Sequence, residues 1–426
     1  MTLVWILLVL LGMIGFGVPI AFALAAVSIV VLTIAGVDML VVAQRFYRGV
    51  QSFPLVAVPL FILAGQVMNL SGISGHLVEF AKTLVGQMRG GLAAVNVVTS
   101  MFFAGMSGTA MSDTAAVGGI LIPPMIQRGY SRAFTGAVTA SSSTIGIIIP
   151  PSVPMVILAA YMGASTGALF AAGLISGVLL GLGLILASWI VSKREGYPAE
   201  DRFSVIALLK ALLKAAPALT MPVIILGGIL GGIFTPTEAS AVAVVYGIVV
   251  SVFYYRTLGL KKLYGVFVES GILSGSVMFV TATAHVLGYT FAYESLADEM
   301  LKPIAQAALS PTMFLVVVSF VLIVAGTFLD GIAMMIIIVP LFLPAIRLLG
   351  IDPIHFAMVV IICWGIGQQT PPVGAALFIT SVIARVDVLT LTRSNILFIF
   401  VMFIVLALVI LFPETVVLSI PRALGL

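Results

Sequence analysis

Long stretches of the chain are apolar without interruption. Residues 155–191 and 396–412, for example, contain no Lys, Arg, Asp or Glu. Because a helix needs about 20 apolar residues to cross a bilayer, such runs predict membrane-spanning helices, and the chain has room for about ten to twelve, counting broken ones. A transmembrane β-barrel would instead alternate apolar and polar positions in segments of about 10 residues. The pattern therefore predicts an all-α integral membrane protein.

The composition supports this interpretation. Of the 426 residues, 62% are hydrophobic and 8% are charged, and the mean hydropathy is +1.30. About 25% of an ordinary soluble domain is charged, and a water-soluble fold cannot hide so much apolar surface. The single cysteine, Cys363, excludes an intrachain disulfide framework. The net charge of +4 is scattered over loops, which excludes a nucleic-acid binder.

The first polar signals lie well inside the chain. No basic residue precedes Arg45, so we expect no cleavable signal peptide and prefer an external N-terminus. Residues 3–36 fit one long tilted helix or a kinked pair, and residues 38–52 predict a helix lying along the membrane interface. Residues 192–214 contain five basic and three acidic residues, which predicts a cytoplasmic linker between two halves.

The two halves resemble one another. Each begins with an apolar segment rich in Gly or Pro, residues 53–72 and 271–291, which we interpret as a re-entrant hairpin sheltered by protein. Asp113 and Pro123 are matched by Asp330 and Pro340 at a spacing of 217, and Pro150-Pro151 by Pro371-Pro372 at a spacing of 221, after an insertion around residues 350–353. Each half is thus predicted to contain a hairpin, a broken span with one Asp, and a broken span with Pro-Pro.

The segment GMSGTAMSDT at residues 105–114 mixes Gly, Ser, Thr and Asp between apolar flanks. If the helix unwinds there, backbone carbonyls and hydroxyls are free to bind a small hard cation such as Na⁺. Helix packing through small residues is the alternative. Asp113 favours a functional site, because an ionisable group at membrane depth is expensive.

The segment TASSSTIGIIIPPSVP at residues 139–154 places four hydroxyl residues before Gly146 and a double proline. Pro150 and Pro151 remove two backbone donors and force a break, and the carbonyls left unpaired can bind a cation. Ser152 follows the break and can present its hydroxyl to a substrate. A kinked helix with back-bonded Ser and Thr is the alternative.

The second half repeats this chemistry in GTFLDG at residues 326–331 and GIGQQTPPVG at residues 365–374. Two paired sets imply two Na⁺ sites, although Asp113 and Asp330 could instead act as proton relays. His285 is a substrate-binding candidate, and a lone structural His is as common. The chain has no Walker motif, no GxSxG, no HExxH and no clustered metal ligands, so neither an enzyme nor a transition-metal site is predicted.

Several motifs resemble those of one transporter family. GMSGTAMSDTAAVGGILIPP (105–124), IIPPSVP (148–154), GGIFTPTEA (231–239), GIDPIHF (350–356) and TPPVG (370–374) resemble the large membrane subunit of TRAP transporters, the tripartite ATP-independent periplasmic systems. The likeness covers essentially the whole chain in the same motif order. It implies an ion-transporter-like fold with inverted repeats, two re-entrant hairpins, discontinuous helices and an elevator-type transport domain on a scaffold.

The resemblance carries functional positions over to this chain. The cation-binding positions are Ser107, Gly108, Thr109 and Asp113 in the first unwound segment, Ser142, Ser143 and Gly146 in its partner, and Gly326, Asp330, Gly365, Gly367 and Thr370 in the second region. The substrate-binding candidates are Ser107, Ser152, His285 and Tyr293. Some members of the family place an arginine just beyond the second hairpin, where this chain has Tyr293.

The resemblance also implies a function and partners. The family imports organic acids across the bacterial inner membrane, driven by Na⁺, with a periplasmic substrate-binding protein and a small four-helix membrane subunit. Because the chain begins directly with the family's first span, the small subunit is expected as a separate polypeptide. No organic cofactor is expected. A stand-alone Na⁺- or H⁺-coupled symporter of the same fold is the alternative, and a passive channel or a membrane assembly protein without transport are others.

The expected domain division follows the two halves. Residues 51–165 and 266–384 form the transport domain, and residues 1–50, 166–265 and 385–426 form the scaffold, with interfacial helices near 38–50 and 204–214 as braces.

Overall fold

The computed structural model describes residues 2–199, 203–296, 309–372 and 374–426, and throughout these ranges the chain forms helices and their connections without any β-strand. Within the described ranges, eight helices are long and apolar enough to cross a membrane, and a ninth span arises if one bent pair is counted as a unit. Five shorter apolar helices of 10–17 residues accompany them. The prediction of an all-α membrane protein is therefore confirmed.

The described residues of the first half form eleven helices, several of them short. A 3₁₀ turn at Phe53–Val56 leads directly into α4. The helices are α1 (Thr2–Gly15), α2 (Ile20–Ile34), α3 (Met39–Val50), α4 (Ala57–Leu70), α5 (Ile73–Val85), α6 (Gly91–Ser107), α7 (Ala110–Gln127), α8 (Arg132–Ser143), α9 (Ile145–Ile148), α10 (Val153–Met162) and α11 (Thr166–Glu195). Residues 3–36 thus form a pair of helices, one of the two arrangements predicted.

The second half is built from longer helices at its start and shorter ones at its end. A π-helical turn at Val250–Tyr254 closes α13. The described helices are α12 (Val205–Leu230), α13 (Pro236–Val249), α14 (Leu260–Tyr293), α15 (Pro311–Phe328), α16 (Gly331–Leu348), α17 (Pro353–Gly367), α18 (Ala375–Ala384), α19 (Val388–Leu411), α20 (Pro413–Val416) and α21 (Ser419–Ala423). The segment 204–214, predicted as a separate interfacial helix, is instead the start of α12.

Helices α6 and α7 form an antiparallel hairpin. Only Gly108 and Thr109 separate them. The amide nitrogen of Asn96, near the start of α6, lies 4.0 Å from the sulfur of Met125, near the end of α7. Because the beginning of one helix meets the end of the next, the chain reverses at the Gly108–Thr109 tip.

Helices α15 and α16 form a second antiparallel hairpin. Leu329 and Asp330 separate them, and the ring of Phe314, early in α15, lies 5.9 Å from the ring of Phe342, late in α16. The structure therefore contains two helical hairpins, each followed by a helix that is broken at a double proline.

These hairpins do not lie where the sequence predicted them. Residues 53–70 are helical throughout, because Pro54 and Pro59 fall in first turns, where a missing N–H does no harm. Residues 271–291 lie inside α14, which continues unbroken for 34 residues. Added Cβ atoms on Gly271 and Gly275 would meet nothing within 4 Å, so these glycines mark an open helix face and not a turn. The hairpin prediction for both segments was wrong.

The order of elements repeats at a spacing of about 221 residues. Helix α7 spans residues 110–127 and α16 spans residues 331–348, so both bounds are 221 apart, as are the starts of α8 at 132 and α17 at 353. The double prolines share this spacing. The 217-residue match and the insertion around 350–353 were therefore wrong. The structural counterpart of Asp113 is Met334, and the counterpart of Asp330 is Thr109.

Helix α19 packs against α8, α11 and α17. Its Asn395 is fully buried and donates to the Gln369 side-chain oxygen at 3.0 Å. The Ser141 hydroxyl lies 2.7 Å from that same oxygen and 2.7 Å from the Asn395 oxygen. A buried polar network thus joins α8 of the first half to Gln369 and α19 of the second half.

Candidate functional site

The first hairpin tip is an interruption of regular helix. Gly108 has φ +62°, a left-handed conformation that glycine adopts without steric cost, and Thr109 is extended with φ −142°. Helix α6 therefore ends at Ser107 with unpaired carbonyls, and α7 begins at Ala110 with unpaired N–H groups. The prediction of unwound backbone in residues 105–114 is confirmed.

The break in the following helix touches this tip. Helices α9 and α10 are separated by Ile149 to Ser152, and the span bends by 43° there. The N–H of Val153 donates to the carbonyl of Gly108 at 3.3 Å. A Cβ on Gly108 would lie 2.9 Å from the carbonyl oxygen of Pro151. Two interrupted helices therefore bring their exposed backbone groups together.

Asp113 lies at this junction. Its side chain is fully buried, and one carboxylate oxygen accepts a hydrogen bond from the Ser107 hydroxyl. The other oxygen, Oδ2, has no partner among the described residues. Gly146 approaches this oxygen so closely that a Cβ on Gly146 would overlap it, and the Thr109 carbonyl would lie 3.4 Å from the same Cβ. Thr109, Asp113 and Gly146 are thus brought together as predicted.

A buried carboxylate with an unpaired oxygen needs compensation. Burying an isolated charge without a partner is strongly unfavourable, and no described basic side chain pairs with Asp113. Within the described ranges, no three His, Cys, Asp or Glu side chains cluster in the manner of a polydentate metal site. The oxygen ligands available are one carboxylate, one hydroxyl and the carbonyls of broken helices. Such oxygens suit a hard monovalent cation.

Ser142 and Ser143 are buried beside this region but are engaged elsewhere. Ser142 donates to the side-chain oxygen of Asn96 at 2.9 Å and lies 3.0 Å from the Ser100 hydroxyl. Ser143 donates to the carbonyl of Ala140 at 2.8 Å. No hydrogen bond joins either hydroxyl to the Asp113 junction within the described part of the chain.

Ser152 repairs the backbone at the proline break. Pro151 has no N–H and so cannot donate to the carbonyl of Ile147, four residues earlier. The buried Ser152 hydroxyl donates to that carbonyl instead, at 2.8 Å. Ser152 also lies next to the Gly108 tip, since a Cβ on Gly108 would be 3.5 Å from its Cα, and its predicted role in substrate binding stays a prediction.

The second tip has the same backbone plan with different side chains. Leu329 is extended, and Asp330 caps the start of α16 by accepting from the N–H of Ile332 at 3.1 Å. The Asp330 side chain is accessible in the isolated chain, where it lines a cavity between α2, α14 and α16. A Cβ on Gly367 would lie 2.7 Å from the carbonyl carbon of Gly326, so the last turns of α15 and α17 are in direct contact.

The remaining second-region positions are near this contact. Thr370 donates to the carbonyl of Ile366 at 2.8 Å. Gly365 faces the first half, and a Cβ there would lie 3.6 Å from the Thr144 Cβ. Gln368 was not predicted, yet its side chain is only 4% exposed and neither amide atom has a described partner. The signal available in the sequence was a pair of glutamines separated from the double proline only by Thr370.

His285 and Tyr293 do not contact the tips. The ring of His285 lies 6.4 Å from the ring of Tyr161, in a cavity that Arg45 also lines. The Tyr293 hydroxyl donates to the carbonyl of Ala35 at 3.5 Å, at the end of α2. Their predicted role in substrate binding stays a prediction.

The fold and the site together define a class. Paired helix hairpins, each meeting a helix broken at mid-length, are the construction of secondary transporters. The family described as tripartite ATP-independent periplasmic transporter, DctM component, matches residues 6–415. The chain belongs to this family, which makes it a transporter permease subunit and a multi-pass protein of the bacterial inner membrane.

Individual relatives agree with this assignment. The chain is 37% identical over 384 residues to the C4-dicarboxylate TRAP transporter large permease protein DctM of Pseudomonas aeruginosa, covering 90% of each protein. It is 36% identical over 407 residues to the sialic acid TRAP transporter large permease protein SiaM of Vibrio cholerae, covering 95% of each. The solved structure of the Alcanivorax borkumensis YdaH transporter has a similar fold, with a TM-score of 0.67 at 14% identity over 87% of this chain and 86% of that one.

Proposed function

We propose that the chain imports a small organic anion by secondary active transport driven by the Na⁺ gradient. The observation that supports this most directly is the buried Asp113 carboxylate, whose Oδ2 has no described partner and lies between a hairpin tip and a proline break. A Na⁺ ion supplies the missing partner. Inward movement of each Na⁺ then contributes about 2.3 kcal/mol per 100 mV of membrane potential.

Two Na⁺ ions are proposed, one at each junction. The first ion is held by groups of Ser107, Gly108, Thr109, Asp113 and Gly146, with Ser142 and Ser143 lying behind them. The second is held at the contact of Gly326 with Gly367, with Asp330, Gly365 and Thr370 nearby. Because both junctions consist of interrupted backbone, a bound Na⁺ ion orders the hairpin tip and thereby raises the affinity for substrate. By thermodynamic linkage, bound substrate raises the affinity for Na⁺ by the same factor.

The substrate class is proposed from the relatives. A C4-dicarboxylate and sialic acid, the substrates in the two relatives' names, are both organic acids. Ser107 and Ser152 lie at the tip and break of the first junction, where helix N-termini can face a carboxylate. This chain has Tyr293 where an arginine is expected, so hydroxyls and helix N-termini carry more of the anion binding.

The moving body is proposed to include both hairpins and both broken helices, in an elevator-type motion of inverted repeats. The predicted boundaries at 51–165 and 266–384 need one change. Buried hydrogen bonds link Asn395 of α19 to Gln369, and α11 packs against α6. Since these contacts cannot slide without breaking, we propose that α11 and α19 move with the transport domain, and that the other helices of residues 1–50 and 203–265 remain the scaffold.

The proposed partners are a small four-helix membrane subunit on a separate chain and a periplasmic binding protein that delivers the substrate. The test is uptake into proteoliposomes that contain this chain, with each partner added or omitted and with Na⁺ or K⁺ outside. We expect saturable uptake of an organic acid that requires Na⁺ and the binding protein. Na⁺-dependent uptake without the binding protein would favour a stand-alone symporter. Non-saturable uptake that is indifferent to Na⁺ would favour a channel and would refute the proposal.

A further inference from the structure

A cavity whose lining includes two arginines lies away from both hairpin tips. It measures about 340 Å³ and lies between α3, the end of α10, the end of α14 and the middle of α16. This volume falls in the range of small-molecule sites, about 300–1,000 Å³. Its polar lining comes from Arg45, Arg48, Ser52, Tyr161 and His285, and none of these residues belongs to the junctions described above.

The cavity is distant from the transport junctions along the helices that line it. Tyr161 follows Ser152 by nine residues in α10, and Pro340 follows the start of α16 by nine residues. At 1.5 Å per residue, each lies about 13 Å from the respective break. A ligand in this cavity therefore does not touch the proposed Na⁺ sites.

The basic side of the cavity is held in place by packing. Helix α3 lies so close to α14 that a Cβ on Gly49 would be 2.7 Å from the Cβ of His285. The guanidinium of Arg45 lies 4.2 Å from the ring centre of Tyr289, which fixes its plane by a cation–π contact. The short amphipathic helix α3, packed against the long helix α14, thus holds both arginine side chains at the cavity.

No acid among the described residues pairs with the positive charge of the cavity. In the described ranges, the ion pairs join Lys214 to Glu79 and Arg422 to Glu414, and none involves Arg45 or Arg48. The buried hydroxyl of Tyr161 also lacks a partner among the described residues. Two guanidinium groups and an unused O–H donor are the groups that recognise anionic oxygens, because guanidinium matches phosphate and carboxylate geometry.

We propose that this cavity binds an anionic oxygen group, held by Arg45 and Arg48 and by the hydroxyl of Tyr161. The group is the phosphate of an anionic phospholipid or the carboxylate of a free organic acid. The apolar residues beside the arginines, Leu55, Ala160 and Leu343, line the rest of the cavity and accommodate the carbon chain of either ligand. The proposal does not depend on Na⁺ coupling, so its failure would leave the proposed transport function standing.

The test measures binding to the purified full chain in KCl, so that Na⁺ binding does not contribute. The probes are phosphatidylglycerol, counted by native mass spectrometry, and succinate, titrated calorimetrically. The double variant R45Q/R48Q removes both positive charges at the cavity. The matched control K261Q/K262Q removes two positive charges from the exposed start of α14, 23 residues or more before His285 in the same helix.

We expect R45Q/R48Q to weaken the binding of at least one probe by about 10-fold or more, because charge-assisted hydrogen bonds are lost. Loss of phosphatidylglycerol identifies the lipid as the source, and loss of succinate identifies the free acid. Y161F, which keeps the ring and removes the donor, should weaken the same probe by about 5-fold. Equal binding by R45Q/R48Q and K261Q/K262Q would overturn the proposal. Should the double variant fold poorly, R48Q alone serves, because Arg48 is exposed.

Discussion

The two hairpin junctions share a backbone plan and differ in charge. At the first junction Asp113 is buried and one of its oxygens has no described partner. At the second, the acid is Asp330, which is exposed and caps the start of α16. At the common spacing of 221 residues, the position of Asp113 is occupied by Met334, whose sulfur would lie 3.4 Å from a Cβ on Gly326.

The two junctions of the repeat therefore share their backbone geometry but differ in their charged side chains. Gly105 and Gly326, Gly146 and Gly367, and the double prolines recur at the same spacing, so what the repeat preserves is close approach and helix breaking. The buried carboxylate belongs to the first junction alone, while the second offers the neutral amide of Gln368. We therefore expect the first cation site to bind Na⁺ more tightly than the second.

The largest effect is expected for Asp113→Asn. The change keeps the shape of the side chain and removes the charge that a Na⁺ ion would compensate. We expect apparent Na⁺ affinity to fall by about 10-fold to 100-fold, the range seen when groups around a bound metal are altered. The measurement is the Na⁺ concentration that gives half-maximal uptake in proteoliposomes, together with the rise in melting temperature that Na⁺ produces over K⁺.

Asp330→Asn is the matched control for this change. Asn caps a helix about as well as Asp, so α16 keeps its start while the charge is lost. We expect a smaller decrease in Na⁺ affinity than for Asp113→Asn. An equal or larger decrease would show that the exposed acid is the principal ligand and would reverse the ranking of the two junctions. Unchanged Na⁺ dependence would remove the role proposed for Asp330.

The helix breaks could be predicted from the sequence because their signals are local. Gly108 and Pro150-Pro151 act on the backbone within a few residues of themselves, and both breaks lie where they were expected. The hairpins were misplaced because Gly271 and Gly275 were taken as turn signals, although a helix tolerates glycine on an open face. The 217-residue register was wrong because it aligned Asp113 with Asp330. Asp113 is a buried carboxylate inside α7, whereas Asp330 caps the start of α16.

Other features of the site could not be predicted from one sequence. Ser141 lies 228 residues from Gln369 and 254 from Asn395 in the chain, yet its hydroxyl lies 2.7 Å from a side-chain oxygen of each. No periodicity connects such distant positions. Likewise, Asp113 and Asp330 look alike in the sequence, and only the contacts around them distinguish a buried, half-paired carboxylate from a helix cap.

Substitution of Gly367 should disrupt the second junction by steric overlap. A Cβ there would meet the Gly326 carbonyl carbon at 2.7 Å and its oxygen at 3.0 Å, and backbone cannot move aside as a side chain can. We expect Gly367→Ala to reduce the free energy of unfolding by about 1–3 kcal/mol, seen as a lower melting temperature. Gly275→Ala is the control, because an added Cβ there meets nothing within 4 Å. Equal melting temperatures for the two variants would contradict the close contact.

Removal of the Ser152 hydroxyl should weaken the first junction by a similar or slightly smaller amount. The Ile147 carbonyl is left without its donor, since Pro151 has no N–H, and a buried unpaired carbonyl costs about 1–3 kcal/mol. Thr370→Val in the second half is the comparison. The carbonyl of Ile366 keeps the N–H of Gln369 at 3.1 Å, so we expect a loss of only a few tenths of a kcal/mol. The measurement is the melting temperature of each variant, which we expect to fall further for Ser152→Ala than for Thr370→Val. A larger drop for Thr370→Val would be inconsistent with these contacts.

The smallest effect separates the two possible roles of Asp330. If its side chain serves mainly as the cap of α16, Asp330→Ala should lower the free energy of unfolding by about 0.5–2 kcal/mol, and Asp330→Asn should leave it nearly unchanged. Melting temperatures measured in K⁺ isolate this capping contribution, because no Na⁺ is then bound. The same pair measured in Na⁺ adds any contribution of cation binding. If Asp330→Asn is as stable as the unmodified protein in K⁺ but less stable in Na⁺, Asp330 both caps α16 and contributes to the second ion site. If the variant is as stable in both salts, Asp330 serves only as the helix cap. The first junction is then the only one of the two whose acid binds Na⁺.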